Sequence, residues 1–232
     1  MFVFFDFDGT LMDDPGAARA GVRSFHQRHR AGLRQADAAA FGTAWSELAE
    51  RWFDRYLAGE LGFQEQRRER LRALFSRALS DAEADALYAD YYAGYRAAWR
   101  LFPDALPCLA ALASAGIGMG LVSNGDGPSQ RDKVAAVGLA GRLDPVIVSG
   151  ELGLHKPDPR VFHEACRRAA RAPAGCLYVG DRLEGDALGA AAAGLQGVWL
   201  DRAGAGGAPE GIAVVRRLAE IPALVGIGGR QS

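Results

Sequence analysis

The sequence predicts an α/β protein, a parallel sheet interrupted just after its first strand by an all-helical insertion. Three observations predict it. The chain opens with a continuous buried-type run, Phe2-Val3-Phe4-Phe5. A long stretch from about Ala17 to Trp99 follows with helical periodicity and no strand candidate. From Phe102 onward, short β-branched runs alternate with helical segments. Alternation of this kind implies right-handed βαβ crossovers and a sheet covered on both faces.

Phe2 to Phe5 is apolar without alternation, the pattern of a strand buried on both sides. A loop is expected from Gly9 to about Gly16. In the insertion, Trp45, Leu48, Trp52 and Tyr56, with Phe53 beside them, fall three and four apart and draw an apolar stripe on one helix. Leu71, Leu74, Phe75 and Leu79 do the same on another. Ser80 and Glu83 have capping-box spacing ahead of a further helix. About four helices fit this length. His26 and His29 read as solvated, Arg67 to Arg72 as a solvent-facing helix surface, and Trp45, Trp52 and Trp99 as the core of the insertion.

Beyond Phe102 the expected order is helix Asp104 to Ala115, strand Ile117 to Val122, helix Ser129 to Val137 and strand Val146 to Val148. Helix Pro159 to Arg171, strand Cys176 to Val179, helix Ala187 to Ala193 and strand Gly197 to Leu200 follow. Ala203 to Gly211 is a glycine-rich surface loop, and the tail Gly226 to Ser232 is expected to fray. The first strand cannot bury its faces alone, so it must join the later sheet. The expected domains are therefore a Rossmann-like core, 1–14 plus 100–232, and an inserted all-helical domain, 15–99.

Composition narrows the function. With 232 residues, 49% hydrophobic and 24% charged, the chain is an ordinary globular protein. Lys+Arg 27 against Asp+Glu 28 removes the electrostatic case for nucleic acid or an anionic membrane as partner. Cys108, Cys166 and Cys176 make no even disulfide framework and no zinc pattern, and read as reduced thiols in a cytoplasmic protein. No apolar run reaches spanning length.

Ligands of open parallel sheets bind beyond the carboxyl ends of the strands. The polar residues directly after the expected strands are Asp6, Asp8 and Thr10; Ser123 and Asn124; Ser149 and, further on, Lys156; and Asp181 and Asp186. Clustered carboxylates repel one another unless a cation sits among them. All-oxygen donors without His or Cys suit a hard ion, so Mg²⁺ is the natural choice. With Lys156 as a second cation, and Ser123 and the amides near Asn124 and Gly125 as donors, the set suits phosphoryl transfer. An Asp carboxylate can serve as the nucleophile and form an aspartyl-phosphate.

Four motifs carry a resemblance. Asp6-Phe7-Asp8-Gly9-Thr10-Leu11 resembles the first motif of the haloacid dehalogenase superfamily in its phosphatase form. Leu121-Val122-Ser123-Asn124-Gly125 resembles the second, Lys156-Pro157-Asp158-Pro159 the third, and Val179-Gly180-Asp181 through Asp186 the fourth. The resemblance implies that Asp6 is nucleophile and metal ligand. Asp8 would be general acid and base, with its backbone carbonyl toward the metal. Thr10 and Ser123 would bond the nucleophile region and the phosphoryl group, and Lys156 would neutralise both. Asp181 would ligate the metal; Asp186 would bind metal-bound water or orient Lys156. The helical insertion resembles the family's cap, a lid that excludes water and selects the substrate.

Asp8 favours phosphate esters, because an alcohol leaving group needs a proton and a halide does not. Family dehalogenases lack an Asp there. The expectation is a Mg²⁺-dependent phosphatase acting on a small phosphorylated metabolite, with a phosphomutase as the alternative and a haloacid dehalogenase behind it. His155 reads as a packing or supporting residue, Arg182 as a salt-bridge anchor or phosphate contact, and Arg67, Arg68 and Arg70 as candidate contacts for an acidic or sugar-like substrate.

Overall fold

The structure is a computed structural model that describes residues 1–227. Its elements run β1 (Phe2–Phe5), α1 (Asp14–His29), α2 (Ala38–Leu57), α3 (Phe63–Leu74), α4 (Asp81–Ala97), α5 (Ala105–Ser114), β2 (Gly118–Ser123), α6 (Gly127–Ala136) and β3 (Val146–Val148). Then come α7 (Ser149–Leu152), α8 (Pro159–Arg168), β4 (Cys176–Gly180), a π-helical turn (Leu183–Leu188), α9 (Gly189–Ala192), β5 (Gln196–Leu200), β6 (Ala213–Val215) and α10 (Ile221–Leu224). Two compact units result: Met1–Asp13 with the chain from Arg100 onward, and Asp14–Trp99.

In the first unit, six strands form one all-parallel sheet in the order β3-β2-β1-β4-β5-β6. This is the doubly wound order, which reverses direction beside its first strand and opens a crevice there. β1 is central, pairing Phe5 with Leu121 of β2 and with Val179 of β4. Its four residues are all buried, as the unbroken apolar run required. Phe2 and Phe4 join Val122, Ile147, Val161, Phe162 and Tyr178 in the core. Each such side chain contributes about 1.5–3 kcal/mol through burial. Gly118 and Gly120 of β2 make room for the two rings, since a Cβ at either position would lie 2.6 or 2.8 Å from ring carbons.

Several edges differ from the sequence-based expectation. α1 starts at Asp14, two residues inside the expected loop, with Pro15 in its first turn, where a missing N–H costs nothing. α3 stops at Leu74 because Phe75 turns extended and bridges to Leu33, so Phe75 and Leu79 leave the helical stripe. A π-helical turn precedes α9 where only a later helix was expected. The short edge strand β6 and the helices α7 and α10 were not anticipated. Of the tail expected to fray, Gly226 and Ile227 bond back to Ala223 and Pro222 carbonyls; the rest lies outside the described residues.

The second unit holds no strand beyond the Leu33–Phe75 bridge, and its four helices α1–α4 match the expected number. Ser80 and Glu83 form the expected capping box at the start of α4. Of the tryptophans, Trp45 is buried against Phe25, Phe41 and Tyr91. The expectation of solvation fails for His26, while His29 is half-buried. His26 is buried, bonding the Ala36 carbonyl at 3.1 Å, and His29 contacts Asp90 at 2.6 Å. Arg70 is also buried, bonded to Gln66 and lying against Trp45, whereas Arg68 and Arg72 pair with Asp81 and Asp85 or Glu69. Among the described residues no helix is long and apolar enough to cross a membrane.

The chain leaves the first unit and re-enters it at one place. Asp13 N–H donates to the Arg100 carbonyl at 2.9 Å, Met12 and Leu101 form an antiparallel bridge, and Arg100 pairs with Asp13 at 2.6 Å.

Candidate active site

The carboxyl ends of β1, β2 and β4 bring three of the four motifs side by side. Asp6 continues the β1 ladder by donating its N–H to the Val179 carbonyl at 2.8 Å, so its side chain emerges at the crevice. Lys156 arrives from the loop before α8. Its Nζ donates to Asp6 Oδ1 at 2.6 Å, to Asp186 Oδ1 at 2.6 Å and to the Tyr178 hydroxyl at 2.7 Å. All three ammonium protons are thus placed. Thr10 Oγ1 lies 3.3 Å from Asp6 Oδ2 and 3.4 Å from Asp181 Oδ1.

One carboxylate oxygen each of Asp6, Asp181 and Asp186 lies within 4.8 Å of the others. Burial pushes the Asp6 carboxyl well above its ordinary value; Lys156 pulls it down, and the Asp186 and Asp181 charges add to the upward push. Burial, then Asp186, raises Asp181 to about 6. Burial opposes charge on Lys156 too, but Asp186 and Asp6 outweigh it, so the ammonium is held charged. Three carboxylates share one ammonium. The imbalance and the all-oxygen donor set fit a hard divalent cation bound by Asp6, Asp181 and Asp186.

The backbone around this cluster is tightly set. Gly9 has φ +85°, and a Cβ there would sit 2.3 Å from Asp181 Oδ2. Trp199 Nε1 holds the Asp181 carbonyl at 2.9 Å. Arg202 reaches the Thr10 carbonyl at 3.1 Å while paired to both oxygens of Asp104 at 3.0 Å. Asn124 clamps Lys156 from both sides: its Nδ2 donates to the Lys156 carbonyl at 3.0 Å, and its Oδ1 accepts the Lys156 N–H at 2.8 Å.

Some predicted donors are engaged elsewhere. The Gly125 N–H, expected to face a phosphoryl group, donates to Ser149 Oγ at 2.9 Å, with His155 Nδ1 2.8 Å from the same hydroxyl. Ser123 is buried, and among the described residues its hydroxyl reaches the Asn124 carbonyl, at 3.5 Å. Arg182 donates its backbone N–H to Asp186 Oδ2 at 3.0 Å. Asp8 stands apart from the carboxylate trio and is held by Lys133 and Gln130 at 2.7 Å each. Sequence reasoning missed Lys133, Gln130, Tyr178, Trp199 and Arg202. Gln130 and Lys133 left one faint signal, two polar residues three apart on the helix that follows the second motif.

Comparison with known proteins identifies the family. A family described as haloacid dehalogenase-like hydrolase matches residues 1–194. Phosphoserine phosphatase of Thermus thermophilus is 32% identical over 219 residues, covering 85% of this chain and 87% of its own. Glyceraldehyde 3-phosphate phosphatase of Methanothermobacter thermautotrophicus is 29% identical over 206 residues, covering 86% and 84%. Among solved structures, the HAD-hydrolase YfnB of Bacillus subtilis, bound to magnesium, superposes with a TM-score of 0.79 at 21% identity, covering 97% and 98% of the two chains. A 2-haloacid dehalogenase of Pseudomonas syringae gives 0.70 at 25% identity over the same shares. With four strand-end motifs converging on one crevice and a family match across most of its length, the chain belongs to the haloacid dehalogenase-like hydrolases.

Proposed function

We propose that this hydrolase is a Mg²⁺-dependent phosphatase that cleaves a small-molecule phosphomonoester through an aspartyl-phosphate on Asp6. One observation carries the reading: Asp6 is bonded to Lys156 and Thr10 inside a cluster of three carboxylates, with Asp8 two residues away and held separately. A bound Mg²⁺ would neutralise phosphoryl oxygens beside Asp6, Asp181 and Asp186.

Asp6 attacks phosphorus, the bond to the ester oxygen breaks, and Asp8 protonates the departing alkoxide. Asp8, now a carboxylate, takes a proton from the water that attacks the acyl phosphate, releasing phosphate and restoring Asp6. Lys156 offsets charge at the attacking carboxylate, and Asp186 and Tyr178 hold that lysine in place. Thr10, Ser123 and the Asn124–Gly125 turn border the phosphoryl position, with Asn124 fixing the backbone of Lys156.

The substrate class follows from the relatives. Proteins similar over most of this chain act on phosphoserine and glyceraldehyde 3-phosphate, both small monoesters. Asp8 distinguishes this site from halide release, which needs no proton donor. Hydrolysis of an aryl phosphate with and without Mg²⁺, beside an Asp6→Asn variant, tests the proposal. Parent activity requires the metal, and the variant falls to background. A variant matching the parent removes Asp6 from the nucleophile's role, and chloride release from a chloroacid replaces the reading with dehalogenation.

A further inference from the structure

Asp8 is gripped from one side. Its Oδ2 accepts Lys133 Nζ at 2.7 Å and Gln130 Nε2 at 2.7 Å, while its Oδ1 is buried and has no hydrogen-bond partner among the described residues. Both donors lie on α6, three residues apart and therefore on one face. Gln130 is 4% exposed and Lys133 7%. An ammonium that gives up its hydration needs a carboxylate in return, and Asp8 supplies it.

The orientation of Gln130 is determined by its neighbours. Nε2 also donates to the Asn124 carbonyl at 3.0 Å, so a flipped amide would set Oε1 against a carboxylate and a carbonyl together. Asn124 is the residue that clamps Lys156. α6 is itself anchored, by Asp126 accepting the Ser129 N–H at 3.1 Å and by Arg131 paired with Glu151 at 2.5 Å. The grip on Asp8 is thus tied to the second and third motifs.

We propose that Lys133 and Gln130 are positioning residues for the acid–base step, holding Asp8 by Oδ2 so that Oδ1 is the oxygen that gives and takes the proton. The inference rests on the phosphatase reading above. In the first half-reaction the proton on Oδ1 passes to the ester oxygen as the P–O bond breaks, leaving Asp8 anionic. In the second, a proton from the attacking water returns to Oδ1. Two donors already point at Oδ2, so a proton there would collide with them.

The test compares kcat/KM for glycerol 2-phosphate, whose alkoxide needs a proton, with that for 2,4-dinitrophenyl phosphate, whose leaving group does not. In the parent background, Asp8→Asn lowers the alkyl-to-aryl ratio by about 10² or more, the usual worth of general acid catalysis. Lys133→Met lowers the same ratio by about tenfold or more, and Gln130→Met shifts it the same way by less. A ratio equal to the parent's in both variants overturns the inference. A ratio unmoved by Asp8→Asn overturns instead the reading beneath it. If Lys133→Met fails to show a cooperative melt, Gln130→Met, which removes no charge, decides alone.

Discussion

Removing one oxygen atom from β4 probes the whole cluster. In Tyr178→Phe, Lys156 Nζ loses the acceptor it holds at 2.7 Å, and the Val122 carbonyl loses a donor at 2.9 Å. Tyr178 is fully buried, so water cannot replace the hydroxyl. Burial raises the phenol above its ordinary value, as do Asp186 and Asp6, so the lost group is a neutral hydroxyl at any working pH. A buried hydrogen bond to a charged partner contributes about 1.5–3 kcal/mol. For a chain of this length that corresponds to a fall in Tm of about 3–12 °C. Thermal unfolding in chelator measures it, alongside Lys156→Met and the double variant. The two substitutions share one contact, so their effects fall short of adding by about 1.5 kcal/mol or more. A coupling below about 0.5 kcal/mol, or an unchanged Tm, refutes the claim that this hydroxyl holds the lysine.

Three further outcomes are expected. Gly9→Ala places a methyl 2.3 Å from Asp181 Oδ2 at φ +85°, so it loses about 1–3 kcal/mol and nearly all turnover; parent-level activity would refute the geometry. Asp126→Ala removes the cap of α6 and costs about 1 kcal/mol in a denaturant melt, most of which Asp126→Asn keeps. Asp181 is raised from 3.8 to about 6, so folding favours its neutral form, and the apoprotein loses that stability as pH rises through this window. In chelator at pH 8, Asp181→Asn therefore melts above the parent by up to about 3 kcal/mol, the gap closes toward pH 4, and Mg²⁺ no longer stabilises the variant.

Much of this arrangement was visible in the residue order. Phe2 to Phe5 reads as a central strand because burial on both faces demands an unbroken apolar run. The polar residues that follow the strands stand out because parallel strands all point their carboxyl ends the same way. Asp6, Lys156, Thr10, Asp181 and Asp186 come together, and their types already suggested a shared cation. What stayed hidden depends on neighbours remote in sequence. Lys133 lies 125 positions from Asp8, and no local period records that pairing. Tyr178 passed as an apolar strand residue, though its hydroxyl touches the site. His26 looked solvated because its helix is polar on average, yet it faces Phe41. β6 is three residues long at the sheet edge, too short to show alternation.

The junction at Asp13 and Arg100 has a consequence for engineering. Because departing and returning backbones are hydrogen-bonded neighbours, anything spliced between them needs only ends that meet. A tight turn could close the gap, or a foreign helical bundle could be grafted there, and the sheet with its carboxylates would keep its own connections. Such a seam makes each exchange of the inserted unit a single insertion rather than a redesign.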